Sequence, residues 1–143
     1  MEWKRLLLVH PPPEEIVKNK TQFKLPGQYQ NVPIIVSIYQ LYGSFHEVLI
    51  TFPKTERYNL GESCQTEMLN ILKLCLKSAS TSDLTKKAEY LRVASASLDT
   101  LRLLLCLCKD CKCISNQPYQ QLDSKLSEIG RMLGGWLKST SSP

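Results

Sequence analysis

Four of the chain's six cysteines crowd into Cys106-Leu107-Cys108-Lys109-Asp110-Cys111-Lys112-Cys113. The C-x-C-x2-C-x-C spacing has the thiol density of a zinc or redox site. On one continuous helix, at about 100° per residue, Cys106 and Cys113 share a side and Cys108 and Cys111 lie roughly opposite. Four thiolates so placed cannot meet one tetrahedral ion. Cys108 and Cys111 alone leave half a metal site or a redox pair open. The expected state is free, mostly buried thiols in a reducing compartment, with no metal and no cofactor.

Catalytic sets are thin. His10 lies in a proline-broken stretch, and His46 stands beside Glu47 with no nucleophile near it in sequence. There is no phosphate loop, no Gly-x-Ser-x-Gly elbow and no paired-carboxylate motif. The chain is therefore read as not an enzyme.

Basic side chains are the remaining chemistry. The net charge of +5 permits contact with nucleic acid or an acidic partner without demanding either. Lys86, Lys87, Arg92, Arg102 and Lys109, with Arg131 further on, are the expected binding surface. Arg102 and Arg131 each lie in a strongly apolar segment. Such an arginine is either paired with a carboxylate, here Asp99 or Glu128, or presented at an interface. Aromatic residues do not interleave with these positions, so contact should be to phosphates and strongly salt-dependent.

The elements that must position these groups follow from apolar spacing. One hundred and forty-three residues suffice for one domain with a sizeable core. No apolar run approaches the roughly 20 residues that span a membrane. The apolar start, Leu6 to Val9, is too short for a signal peptide and runs into Pro11-Pro12-Pro13, which predicts a cytoplasmic protein. Residues 1–29 read as an irregular arm, with a short strand over Trp3 to His10 and at most one helical turn over Glu14 to Lys20. Asn31 is the expected cap of a first helix reaching about Thr51, with Pro33 in its first turn. Between Gln30 and Pro53 the only charged side chain besides His46 is Glu47, so this helix must be covered on most sides.

Thr55 is the expected cap of a second helix, whose buried face is Leu60, Cys64, Met68, Ile71, Leu72, Cys75 and Leu76. Ser82 or Asp83 caps a third, from Leu84 to Cys111, with Leu84, Ala88, Leu91, Ala94, Leu98, Leu101, Leu105 and Cys108 in its stripe. Beyond Asp99 that helix is apolar nearly all round, which requires a second surface to be covered. Ser115 caps the fourth, which carries Leu122, Leu126, Ile129, Leu133 and Trp136. Its glycines Gly130, Gly134 and Gly135 each disfavour the helix by roughly 1 kcal/mol against alanine, so a neighbouring helix backbone is expected close by. The whole predicts an all-α, up-down-up-down four-helix bundle over residues 30–139, with a disordered tail at 140–143.

The ending Glu128-Ile129-Gly130-Arg131-Met132-Leu133-Gly134-Gly135-Trp136-Leu137-Lys138-Ser139 resembles that of the Avd family, the accessory variability determinants of diversity-generating retroelements. Three earlier stretches resemble the same family in the same order. They are Val32-Pro33-Ile34 with Tyr39-Gln40-Leu41, Phe52-Pro53-Lys54 with Arg57-Tyr58-Asn59-Leu60-Gly61, and Leu98-Asp99-Thr100-Leu101-Arg102. The Phe-Pro-Lys turn is shared with four-helix proteins encoded in 23S ribosomal RNA intervening sequences, which is the alternative: a structural bundle without a reverse-transcriptase partner. The Avd resemblance implies a homopentamer of four-helix protomers forming a basic barrel. It also implies binding to the element's reverse transcriptase and to template RNA and cDNA, in support of adenine-mutagenic cDNA synthesis. The chemistry would belong to the reverse transcriptase.

Overall fold

A computed structural model describes residues 23–141. The strand and helical turn expected within residues 1–22 lie outside the described residues. Four long helices form the bundle: α1, Pro33–Leu49; α2, Glu62–Ser80; α3, Leu84–Asp110; and α4, Asn116–Thr140. Each is antiparallel to its chain neighbour, and α4 closes the ring against α1. Cross-helix pairs fix these directions. Cys64 meets Cys108, Asn70 meets Ser97 and Ser78 meets the Lys87 carbonyl between α2 and α3, while Ser37 meets Met132 between α1 and α4.

The core lies along the bundle axis. Ile35, Ile38, Leu41 and Phe45 enter from α1, Met68 and Ile71 from α2, Leu91, Leu101 and Leu105 from α3, and Leu122, Leu126 and Ile129 from α4. These are the residues that helical spacing places on single stripes. Leu60, Leu72, Leu76 and Trp136 are half-buried at the margin of the core, and Leu84 lies outside it. It opens α3 beyond the end of the core and is 54% exposed. The apolar surplus of α3 is also plain: Leu103 is 69% and Leu107 47% exposed, with Val93 on the same outer face.

Caps differ from expectation in instructive ways. Asp83 caps α3 as expected, its carboxylate accepting from the N–H groups of Thr85 and Lys86. Val32, not Asn31, is the residue before α1, because Pro33 takes the first helical position and needs no N–H acceptor. Thr55 caps nothing. Helical geometry begins at Lys54, directly after Pro53, and a π-helical stretch over Arg57–Gly61 runs without a break into α2.

That π stretch, absent from the sequence reading, is pressed against the end of α1. Gly61 is buried, and a β-carbon there would collide with Leu49 of α1. Arg57 donates from Nη2 to the carbonyls of Ile50 at 3.1 Å and Phe52 at 3.4 Å. A cation therefore sits on the carbonyl end of α1, where the helix dipole favours it. Phe52 turns inward to meet Phe45 edge to face. The Phe-Pro-Lys…Arg-Tyr-Asn-Leu-Gly motif is thus the hinge that folds α2 back on α1.

The end of the arm is docked onto the bundle. Phe23 packs on the bare face of Gly43 and meets His46 edge to face, and the Tyr39 hydroxyl donates to the Lys24 carbonyl. Leu25 and Tyr29 pack against the core. At the other end α4 remains helical through Thr140, one residue into the stretch expected as a tail.

Candidate nucleic-acid interface

The expected basic residues do not gather into one patch. Lys86 and Lys109 stand 23 positions apart on α3, roughly 35 Å at the helical rise. Lys86, Arg92 and Arg131 are exposed, whereas Lys87, Arg102 and Lys109 are half-buried. Arg102 is engaged within the protomer. Its Nη2 donates to the Leu126 carbonyl at 3.3 Å, and its Nη1 lies 4.0 Å from a carboxylate oxygen of Asp123. The partner is therefore on α4, and neither Asp99 nor Glu128 fills the role expected of it. Lys109 stands with its Nζ 4.7 Å from the ring centre of Tyr119.

The cysteines separate according to where α3 stops. The helix ends at Asp110, and Lys112 takes a left-handed backbone with φ 61°. This lets the Cys113 N–H donate to the Cys108 carbonyl at 2.8 Å, an αL helix ending in which the chain doubles back. Cys113 is thereby tucked into the core, and Cys111 is left exposed. Continuous-helix geometry, which set Cys108 and Cys111 together on the side opposite Cys106 and Cys113, fails beyond Asp110: Cys113 joins Cys108 in the interior and Cys111 does not. The close thiol pair is instead Cys64 on α2 with Cys108 on α3, sulfurs 3.8 Å apart. The hydrogen bond it shares with Cys108, together with burial, pushes the Cys64 thiol well above the usual range. Burial alone pushes Cys75 up to about 12. Among the described residues no three His, Cys, Asp or Glu side chains are grouped to hold a metal ion. Cys106 contacts the Tyr119 hydroxyl at 3.3 Å, and that bond, with burial and the nearby Asp123 and Asp110, raises Tyr119 to about 12.

The glycine-rich ending also divides. Gly130 faces side chains of α3, Arg102 and Leu98, rather than a neighbouring backbone. A β-carbon at Gly134 or Gly135 would meet nothing within 4 Å, so the close helix approach expected there does not occur inside the protomer.

A feature that sequence spacing did not reveal is a cleft of about 820 Å³ at one end of the bundle. The end of α1 contributes Glu47, Val48 and Thr51. The α3–α4 junction contributes Lys109, Lys112 and Ser115, and the first turns of α4 contribute Asn116, Gln121 and Lys125. Ser115 precedes α4 but gives its first turn no side-chain cap. The positive end of a 25-residue helix therefore opens at the cleft. Three lysines and one carboxylate line the cleft with amides and hydroxyls, a surface suited to anionic oxygens. Lys109, expected from sequence as a binding residue, lines it, while the joining of Lys112 and Lys125 to it depends on the turn after Asp110.

Fold and surface together define an all-helical four-helix bundle with a basic cleft and an apolar outer stripe. Among the described residues no helix is long and apolar enough to cross a membrane. The bAvd-like family matches residues 34–140. The chain belongs to the bAvd-like family, and the motifs quoted above fall within the match or at its start. No curated protein sequence matches it.

Proposed function

We propose that this protein is a non-catalytic accessory subunit of a diversity-generating retroelement, binding the element's reverse transcriptase and its template RNA and cDNA. The observation that carries the reading is the family match across residues 34–140. The basic residues proposed for partner contact are Lys86, Lys87, Arg92, Lys109 and Arg131, with Arg102 acting in part through α4. Reverse-transcription chemistry is assigned to the partner, and the work is done in the cytoplasm.

A homo-oligomer, a pentamer by the family's pattern, accounts for the surface the protomer leaves open. Leu103, Leu107 and Val93 are more apolar than a lone helix face in water favours, and Leu69 on α2 adds a further exposed side chain. The open faces of Gly134 and Gly135 give a second protomer room for close approach.

The test is co-purification of the full chain with the reverse transcriptase encoded beside its gene, at low and high salt. Retention at low salt that weakens as salt rises is expected. A folded protein that never retains the enzyme overturns the reading in favour of a structural bundle of the ribosomal-RNA intervening-sequence type.

A further inference from the structure

We propose that the cleft between the end of α1 and the α3–α4 junction seats a segment of this same chain: Glu14 and Glu15 of the N-terminal arm, on Lys112 and Lys125. An anionic partner then reaches those lysines only by displacing the arm. The proposal stands apart from the accessory-subunit reading, since it uses neither the family match nor any nucleic acid.

The path of the chain comes first. Read backwards from α1, the described end of the arm descends along that helix. Tyr29 and Leu25 pack against the core, and the Lys24 carbonyl accepts from the Tyr39 hydroxyl at 3.3 Å. Phe23 then lies on Gly43 and against His46. A β-carbon on Gly43 would stand 3.0 Å from the Phe23 ring, so the bare backbone there admits the arm closely. Contacts thus step from Tyr39 to Gly43 and His46, toward the carboxyl end of α1. The cleft begins there, lined by Ser44, Glu47, Val48 and Thr51. Glu47 is one turn on from Gly43 along the same face of the helix.

Length comes second. Glu15 precedes Phe23 by eight positions, which reach up to roughly 26 Å when extended. From His46 to Thr51 is only about 7.5 Å along the axis, and the helix is about 10 Å across. The segment reaches the cleft with chain to spare.

Charge comes third. Lys109, Lys112 and Lys125 line the cleft with a single acidic side chain. Lys109 already stands over the Tyr119 ring, so exposed Lys112 and half-buried Lys125 are the cations assigned to the arm. Residues 1–22 hold three acidic side chains, Glu2, Glu14 and Glu15, and only the last two are adjacent. Lys18 and Lys20, on the connecting stretch, carry the cleft's own sign and are not assigned to it. Exposed ion pairs are individually weak and screened by salt. A tethered segment, however, meets its site at an effective concentration in the millimolar range, so weak pairs suffice. A separate acidic peptide lacks that advantage.

The experiment uses the full chain at low salt, with a carbodiimide that joins a carboxylate directly to an adjacent amine. Mass spectrometry should find Glu14 or Glu15 joined to Lys112 or Lys125. Mixing isotope-labelled and unlabelled protein should show that the link forms within one chain. Thermolysin cleavage before Val17 provides a second readout. Glu14→Lys with Glu15→Lys should speed that cleavage by about threefold or more, because proteolysis follows the open population. Adding Lys112→Glu and Lys125→Glu to that variant should restore slow cleavage, which a merely local effect of the arm substitutions would not do. Rising salt should bring wild type toward the variant. Circular dichroism checks that each protein is folded.

Links from Glu14 and Glu15 only to lysines outside the cleft overturn the proposal, as do links only between chains. So does unchanged cleavage in the folded charge-reversed variant, or a gain in cleavage that the charge swap fails to restore. A labelled single-stranded RNA that shields Lys112 and Lys125 while cleavage before Val17 stays unchanged gives the cleft to nucleic acid instead. Failure to retain the reverse transcriptase bears on the accessory role alone and leaves the seated arm standing.

Discussion

The guanidinium of Arg102 lies 3.1 Å from the position a β-carbon on Gly130 would take, and Leu98 lies 3.4 Å from it. The glycine leaves room for Arg102 to reach over α4, donate to the Leu126 carbonyl and approach Asp123. Two motifs distant in sequence, Leu-Asp-Thr-Leu-Arg on α3 and the glycine-rich ending of α4, are thus halves of one contact.

This contact separates the three glycines of α4 by experiment. Gly130→Ala gains about 1 kcal/mol of helix propensity and loses a similar amount by shifting Arg102, so its net effect on stability should be small. Gly130→Leu should destabilise by about 1–3 kcal/mol through overpacking. Gly134→Ala and Gly135→Ala meet open space and should each stabilise an isolated protomer by up to about 1 kcal/mol. Gly134→Leu should keep the fold and reduce assembly, measured by urea denaturation alongside light scattering. Unfolding of that variant at low concentration would contradict the open face.

At the hinge, Arg57→Ala removes the donor to the Ile50 and Phe52 carbonyls and should cost about 1–3 kcal/mol, with Arg57→Lys recovering part of it. Gly61→Ala drives a methyl group into Leu49 and should destabilise by about 1–3 kcal/mol despite its better helix propensity. Thermal unfolding of the two variants provides the measurement. A Gly61→Ala protein more stable than wild type would mean that the hinge can relax.

The buried thiols predict alkaline sensitivity. Cys75 is raised from 9.0 to about 12 in the folded state. The folded chain then holds a proton that the unfolded chain gives up above pH 9. The associated stability is full below that pH and is lost as pH rises from 9 toward 12. Each such proton contributes a slope of roughly 1.4 kcal/mol per pH unit. Cys75→Ala should lower stability near neutrality by about 1 kcal/mol and make the decline above pH 9 shallower. Urea midpoints from pH 8 upward would show it, and an unchanged slope in the variant would count against a buried neutral thiol.

Thiol labelling reads the end of α3 directly. Exposed Cys111 should react first with an alkylating reagent and half-buried Cys106 more slowly. Cys64, Cys75, Cys108 and Cys113 should stay protected until denaturant is added. Early labelling of Cys113 would contradict the turn that tucks it beneath Cys108.

Periodicity alone determined the four helices and most of the core, because a residue such as Leu91, Leu101 or Leu126 is buried by the stripe it belongs to rather than by any particular neighbour. The terminal motif likewise identified the family. Tertiary structure decided what depends on which helix lies opposite and where a helix stops. Spacing could say that Arg102 needs a partner but not that Asp123 and the Leu126 carbonyl supply it from α4. It could set four cysteines on a helix, but the left-handed Lys112 breaks that helix and sends Cys113 inward and Cys111 out. Gly61 and Gly134 look alike in sequence, yet one is pressed against Leu49 and the other faces open space. The cleft joins residues from positions 44 to 125, and only the packing of α1 against the α3–α4 junction brings Glu47, Lys112 and Lys125 to one place.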